Sequence, residues 1–164
     1  MFHASCDSAS KQLTVLVADD NKDAADTLSD LLTISGHTVL TAYDGLEALL
    51  RADDQPDVAI LDLGMPGLGG WEVARRLRGR RPDMLLIAAS GWGSTGHQAE
   101  SIRSGFDLHL TKPVDPVRLL ALLEAKAARA VDAEVSQRCS ECAGMRNLAE
   151  QRMNIEADSP RIDC

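Results

Sequence analysis

This 164-residue sequence is poor in aromatic residues, with two Trp, two Phe and one Tyr, so its core must be built from Leu, Val, Ile and Ala. A basic excess is missing too: the net charge is −8, which argues against a nucleic acid partner, because phosphate backbones select Lys and Arg. No apolar run approaches the length that crosses a bilayer, and residues 1–12 are polar, without the apolar stretch of a signal peptide. These gaps predict a cytoplasmic protein with no membrane insertion. Cysteines number only four. Cys139 and Cys142 form one CxxC, yet no second pair completes a zinc site, and this one sits in a polar tail rather than at a helix start after a strand. Cys6 and Cys164 also fall outside the periodic region. Metal or redox chemistry at the cysteines is therefore not expected.

What is present is an alternation of apolar runs and helical periods. Residues 13–18 form a nearly continuous apolar run that ends in Asp19 and Asp20. Asn21 is a natural N-cap, and Ala24, Ala25, Leu28, Leu31, Leu32 and Ile34 recur at helical spacing until Ser35-Gly36. Residues 37–42 read as a strand that alternates more, nearer a sheet edge. Asp44-Gly45 begins a short helix ending near Asp53. Val58 to Leu61 is a fully apolar strand that stops on Asp62, before the turn Gly64-Met65-Pro66-Gly67. Gly69-Gly70 opens a helix carrying Trp71, Val73, Ala74 and Leu77, broken at Arg81-Pro82. Residues 84–89 form a fourth strand ending at Ser90. A helix is expected from near His97 to Gly105, a fifth strand over 106–110, and a last helix capped by Asp115-Pro116 and running to about Ala130. Five such alternations imply an α/β fold: a flavodoxin-like, doubly wound five-stranded parallel sheet in the order 2-1-3-4-5, with helices on both faces.

In a parallel sheet the strand ends share one edge. Asp19 and Asp20, Asp62, Ser90 and Lys112 should therefore converge. Three crowded carboxylates repel one another; Lys112 offsets part of this and a hard divalent cation the rest. Mg²⁺ suits such a site, since it is typically held by one or two carboxylates together with waters and phosphate. A carboxylate can act as a nucleophile and become an aspartyl-phosphate, while the cation, Lys112, Ser90 and turn amides neutralise the phosphoryl oxygens.

With these residues in order, the chain resembles the receiver domain of two-component response regulators over roughly residues 13–125. The matching motifs are Val17-Ala18-Asp19-Asp20, Leu61-Asp62-Leu63-Gly64-Met65-Pro66-Gly67, Ala89-Ser90-Gly91 and Thr111-Lys112-Pro113. The resemblance implies that Asp62 takes a phosphoryl group from a histidine kinase or histidine phosphotransfer protein. It implies Mg²⁺, or Mn²⁺ in its place, held by Asp20, Asp62 and the Gly64 carbonyl, with Asp19 acting partly through water. It also implies a cis bond before Pro113, and a switch in which Ser90 moves toward the phosphoryl group as a strand-5 aromatic turns inward. That aromatic position is His109 here, a flat ring that can titrate. Gly64 and Trp92 stand where the family tunes phosphoryl lifetime. A bacterial signalling domain of this kind is not an enzyme beyond assisting its own phosphorylation and dephosphorylation. Its downstream protein would read the face formed by helix 4, strand 5 and helix 5.

Gly91-Trp92-Gly93-Ser94-Thr95-Gly96 matches GxGxxG, but it follows strand 4 rather than the first strand, and the next strand ends in Lys112 instead of an acid. Aspartyl phosphatases and mutases place a second Asp two residues after the nucleophile, where Gly64 stands. A non-phosphorylated interaction module of the same fold is a third reading, and a phosphorelay intermediate or the receiver segment of a hybrid kinase a fourth. The domains expected are a polar extension over 1–12, the receiver over 13–130 and an acidic tail over 131–164. That tail is partly helical or disordered and too small for an output domain. Val131, Val135, Cys139 and Cys142 recur at helical spacing, so the tail could be a solvated helix or pair with a partner or a second copy as a homodimer.

Overall fold

The computed structural model of the chain describes residues 11–91 and 103–131. Five parallel strands form one sheet: β1 Thr14–Ala18, β2 Thr38–Ala42, β3 Val58–Asp62, β4 Leu85–Ser90 and β5 Leu108–Thr111. Their order is β2-β1-β3-β4-β5, as the alternation of strands and helices predicts. Burial follows this order. All of β3 is buried at the centre, whereas β2 and β5 at the edges are only partly covered. A central parallel strand must be apolar toward both faces, which explains the unbroken run Val58-Ala59-Ile60-Leu61.

The helices are α1 Lys22–Ile34, α2 Gly45–Arg51 with a 3-10 turn over Ala52–Asp54, α3 Gly70–Arg80, and a final helix over 116–131. Their caps are local chemistry. The Asn21 side chain accepts from the Ala24 amide, Asp44 from Glu47, and Asp115 from Val117 at 2.9 Å. Two cores result. Alternate strand residues Leu16, Ala18, Ala59, Leu61, Leu86 and Ala88 join Ala48, Val73, Ala74 and Leu77 from α2 and α3. Val15, Val17, Val58, Ile60, Ile87 and Ala89 join Ala25 and Leu32 of α1 and Leu119 and Leu123 of the final helix. Each fully buried Leu, Val or Ile adds on the order of 1.5–3 kcal/mol of hydrophobic stabilisation. The first compact unit ends at Ala127; of the second, Ala128–Cys164, only 128–131 are described, and they are helical.

One boundary moves. The fifth strand covers Leu108–Thr111 rather than 106–110. Asp107 is drawn into a side-chain clamp: its Oδ2 accepts from the Leu86 amide at 2.8 Å and from Arg78 Nη2 at 2.6 Å. Phe106 is buried in the core beneath α2 and α3. The expected helix near 97–105 and the tail beyond 131 lie outside the described residues, apart from the last turn at 103–105.

Candidate functional site

The strand ends meet at the carboxyl edge of the sheet. β1 pairs with β3 and β3 with β4, so Asp19, which follows β1, and Asp62, which ends β3, are neighbours. Asp19 is held from both sides: its amide donates to Ala42 O at 3.1 Å, and its Oδ1 accepts from the Asn21 amide at 3.0 Å. Asp62 Oδ2 accepts from the Gly64 amide at 3.1 Å. Both acids are buried and Asp20 is exposed, yet one oxygen of each of the three carboxylates lies within 4.8 Å of the others.

Lys112 reaches this cluster from the end of β5. Its Nζ stands 2.5 Å from Asp19 Oδ2 and 2.9 Å from Asp62 Oδ1. Its own amide donates to Ser90 O at 2.8 Å, which holds this backbone against the end of β4, and the Lys112–Pro113 peptide is cis. Burial alone would lower the lysine pKa, but the hydrogen bonds and charges of Asp19 and Asp62 outweigh it and hold the ammonium above its ordinary value. One cation thus bridges two of three anions, leaving negative charge in excess.

Three hard oxygen donors at this spacing fit a small divalent cation. The cluster of Asp19, Asp20 and Asp62 could hold such a metal.

Ser90 and His109 are also brought together. Ser90 Oγ lies 2.8 Å from His109 Nε2, and the two stand on adjacent strands β4 and β5. Gly64 lies beside Asp62, where a Cβ would stand 3.3 Å from Asp62 Oδ2. Trp92 lies outside the described residues. A cavity of about 520 Å³ opens on Asp62, lined by Leu63, Gly64, Trp71, Ser90, Gly91 and Lys112. Sequence reasoning placed Trp71 on a helix without a role at the site. The signal available was the Gly69-Gly70 pair that brings α3 close to the acidic strand end: a Cβ on Gly70 would collide with the Asp62 carbonyl oxygen.

The fold and this pocket define a class: a doubly wound α/β domain with an acidic, lysine-bridged site at its topological switch point. Comparison with known proteins makes it specific. The pattern of the response regulator receiver domain matches residues 15–124. The response regulator MprA of Mycobacterium tuberculosis is 36% identical over 116 residues, 70% of this chain and 50% of that protein. That of Mycobacterium avium is 35% identical over 118 residues, 71% of this chain and 52% of its own length. The chain thus spans about half the length of these curated relatives. The CheY-like receiver domain protein of Methanospirillum hungatei superposes with a TM-score of 0.69 at 25% identity, covering 75% of this chain and 99% of that one. The receiver domain of the Francisella response regulator 1452 gives 0.66 at 31% identity, covering 73% and 99%. The chain belongs to the response regulator receiver domain family of two-component signalling. Among the described residues no helix is long and apolar enough to cross a membrane.

Proposed function

We propose that Asp62 is the phosphoacceptor of a Mg²⁺-dependent receiver, charged by the phosphohistidine of a sensor kinase or histidine phosphotransfer protein. The observation that carries this reading is the Lys112 ammonium, which bridges Asp19 and Asp62 while Asp20 completes the acidic cluster. An Asp62 oxygen forms the new O–P bond as the donor's N–P bond breaks, and the electron pair of that bond stays on the imidazole nitrogen. Mg²⁺, held by Asp20, Asp62 and the Gly64 carbonyl with Asp19 assisting, would neutralise charge on the transferred group. Lys112 then contacts the phosphoryl oxygens in place of the Asp62 carboxylate. Ser90 supplies a hydroxyl donor from β4, and its bond to His109 ties that hydroxyl to β5, which links the site to the face around β5. The chain serves as a signalling module that assists only its own phosphorylation and dephosphorylation, and its net charge of −8 disfavours a direct nucleic acid contact.

Intact-protein mass spectrometry with Mg²⁺ and acetyl phosphate tests the proposal. One added phosphoryl group is expected on the wild type and none on Asp62→Asn. An unmodified wild type would favour a pseudo-receiver that acts only as an interaction module.

A further inference from the structure

The cavity beside Asp62 is larger than the group it is proposed to receive. A phosphoryl group is one phosphorus and three oxygens, whereas about 520 Å³ is open there. Among the described residues its walls divide by chemistry: Asp62, Ser90 and Lys112 are polar, while Leu63, Gly64, Gly91 and Trp71 are apolar or lack a side chain. The polar residues suffice for the phosphoryl oxygens. Among the described residues, the rest of the space faces an aromatic ring, a leucine and two glycines, a combination that suits a flat ring.

Trp71 is placed there by the helix rather than by a mobile loop. α3 starts at Gly70, whose missing Cβ lets the first turn press against the Asp62 backbone. One turn on, Val73, Ala74 and Leu77 are buried and anchor the helix to the sheet. Trp71 itself is half-buried and packs against that same core. Its ring is therefore part of the wall of the cavity that Asp62 also lines. In an in-line displacement the attacking and leaving atoms lie on opposite sides of phosphorus, so the leaving group must occupy space beyond the phosphoryl oxygens.

We infer that Trp71 is a specificity-determining residue for the phosphoryl donor, forming the wall against which a planar heteroaromatic leaving group, an imidazole, packs as phosphorus passes to Asp62. This rests on Asp62 being the phosphoacceptor. An aromatic pair adds modestly beyond its buried area, so the preference expected from the ring is about two- to ten-fold.

The test compares two small phosphoramidate-type donors that differ in the leaving group: monophosphoimidazole, which releases a ring, and phosphoramidate, which releases ammonia. Rate constants for phosphoryl uptake are measured by intact mass with Mg²⁺ for the wild type, Trp71→Leu and Trp71→Phe. Val73→Ala serves as a control that loosens α3 without touching the cavity. Trp71→Leu should lower the ratio of imidazole-donor to ammonia-donor constants by about two- to ten-fold. Trp71→Phe should restore most of that ratio, and Val73→Ala should leave it unchanged. Should Trp71→Leu fail to fold, Trp71→Met takes its place as the variant without a ring. A ratio that stays constant when the ring is removed, in Trp71→Leu or Trp71→Met, whether both constants fall or neither does, overturns the inference while leaving the acceptor in place. A wild type that takes up phosphoryl from neither donor overturns the acceptor and the inference together.

Discussion

Strand β3 carries an aspartate at each end, and the two live in opposite circumstances. Asp57, just before the strand, accepts the Thr14 amide through Oδ2 at 2.9 Å, and its own backbone amide and carbonyl bond Thr14 O and the Leu85 amide. Asp107 repeats the pattern before β5, accepting the Leu86 amide while paired with Arg78. Each of these two carboxylates stitches neighbouring strands together and has its own donors. At the other edge, Asp19, Asp20 and Asp62 crowd within 4.8 Å and two of them share one lysine. Acids matched one to one with donors are structure; acids left in excess around one cation form a site.

The largest effect that could break this comparison is chemical. Asp62→Asn should abolish phosphoryl uptake in the mass assay, whereas Asp57→Asn, which keeps an acceptor for Thr14, should take up the group like the wild type. Equal loss in both would erase the distinction between the edges. Next comes stability at the stitched edge. Arg78 donates to the carbonyls of Gly105, Pro82 and Met84 as well as to Asp107. Arg78→Ala should cost about 2–4 kcal/mol in urea unfolding, because several partly buried acceptors lose their partner at once. A cost below about 0.5 kcal/mol would reduce the clamp to an ordinary surface ion pair.

Lys112→Ala should leave Mg²⁺ affinity equal or raised, since a competing cation is gone, but uncouple the phosphoryl group from switching. A Mg²⁺ titration followed by tryptophan fluorescence reads the first half, and lost affinity would contradict the geometry. The raised pKa of Lys112 also sets a pH dependence in metal-free buffer. The folded protein holds this proton more tightly than the unfolded chain does. Its contribution is therefore complete below the free lysine value of about 10.4 and is lost as pH climbs through the higher folded value. The Tyr43 hydroxyl, bonded to Asp26 at 2.7 Å, is raised mainly by that bond and acts in the same direction. Thermal melts between pH 8 and about 11 should show a shallower alkaline decline in Lys112→Met than in the wild type, with Tyr43→Phe separating the smaller share. The smallest effect concerns His109→Phe, which removes one bond to Ser90 and should cost about 0.5–1.5 kcal/mol while leaving metal affinity alone.

The sheet order and the convergence of Asp19, Asp20, Asp62 and Lys112 were legible because both follow from short-range signals. Apolar runs mark central strands, and polar residues at their ends must share an edge once the strands are parallel. The start of β5 was not legible. Asp107 looks like any strand-flanking polar residue until Arg78, 29 positions earlier, closes on it. Trp71 was hidden for a similar reason. Its helical spacing with Ala74 and Leu77 is that of a core residue, and only the packing of Gly70 against β3 turns the ring toward the acceptor cavity. Trp92 and the Cys139–Cys142 pair fall outside the described residues.

The close seating of Gly70 on the Asp62 carbonyl bears on transplanting this pocket into another scaffold. Copying the acids and the lysine onto the loops of a different parallel sheet would carry over the charges alone. Any residue with a β-carbon at the head of the neighbouring helix would hold that helix away from the strand and tilt both aromatic wall and acid. The smallest portable unit is therefore the strand, its turn and the glycine-led helix taken as one piece.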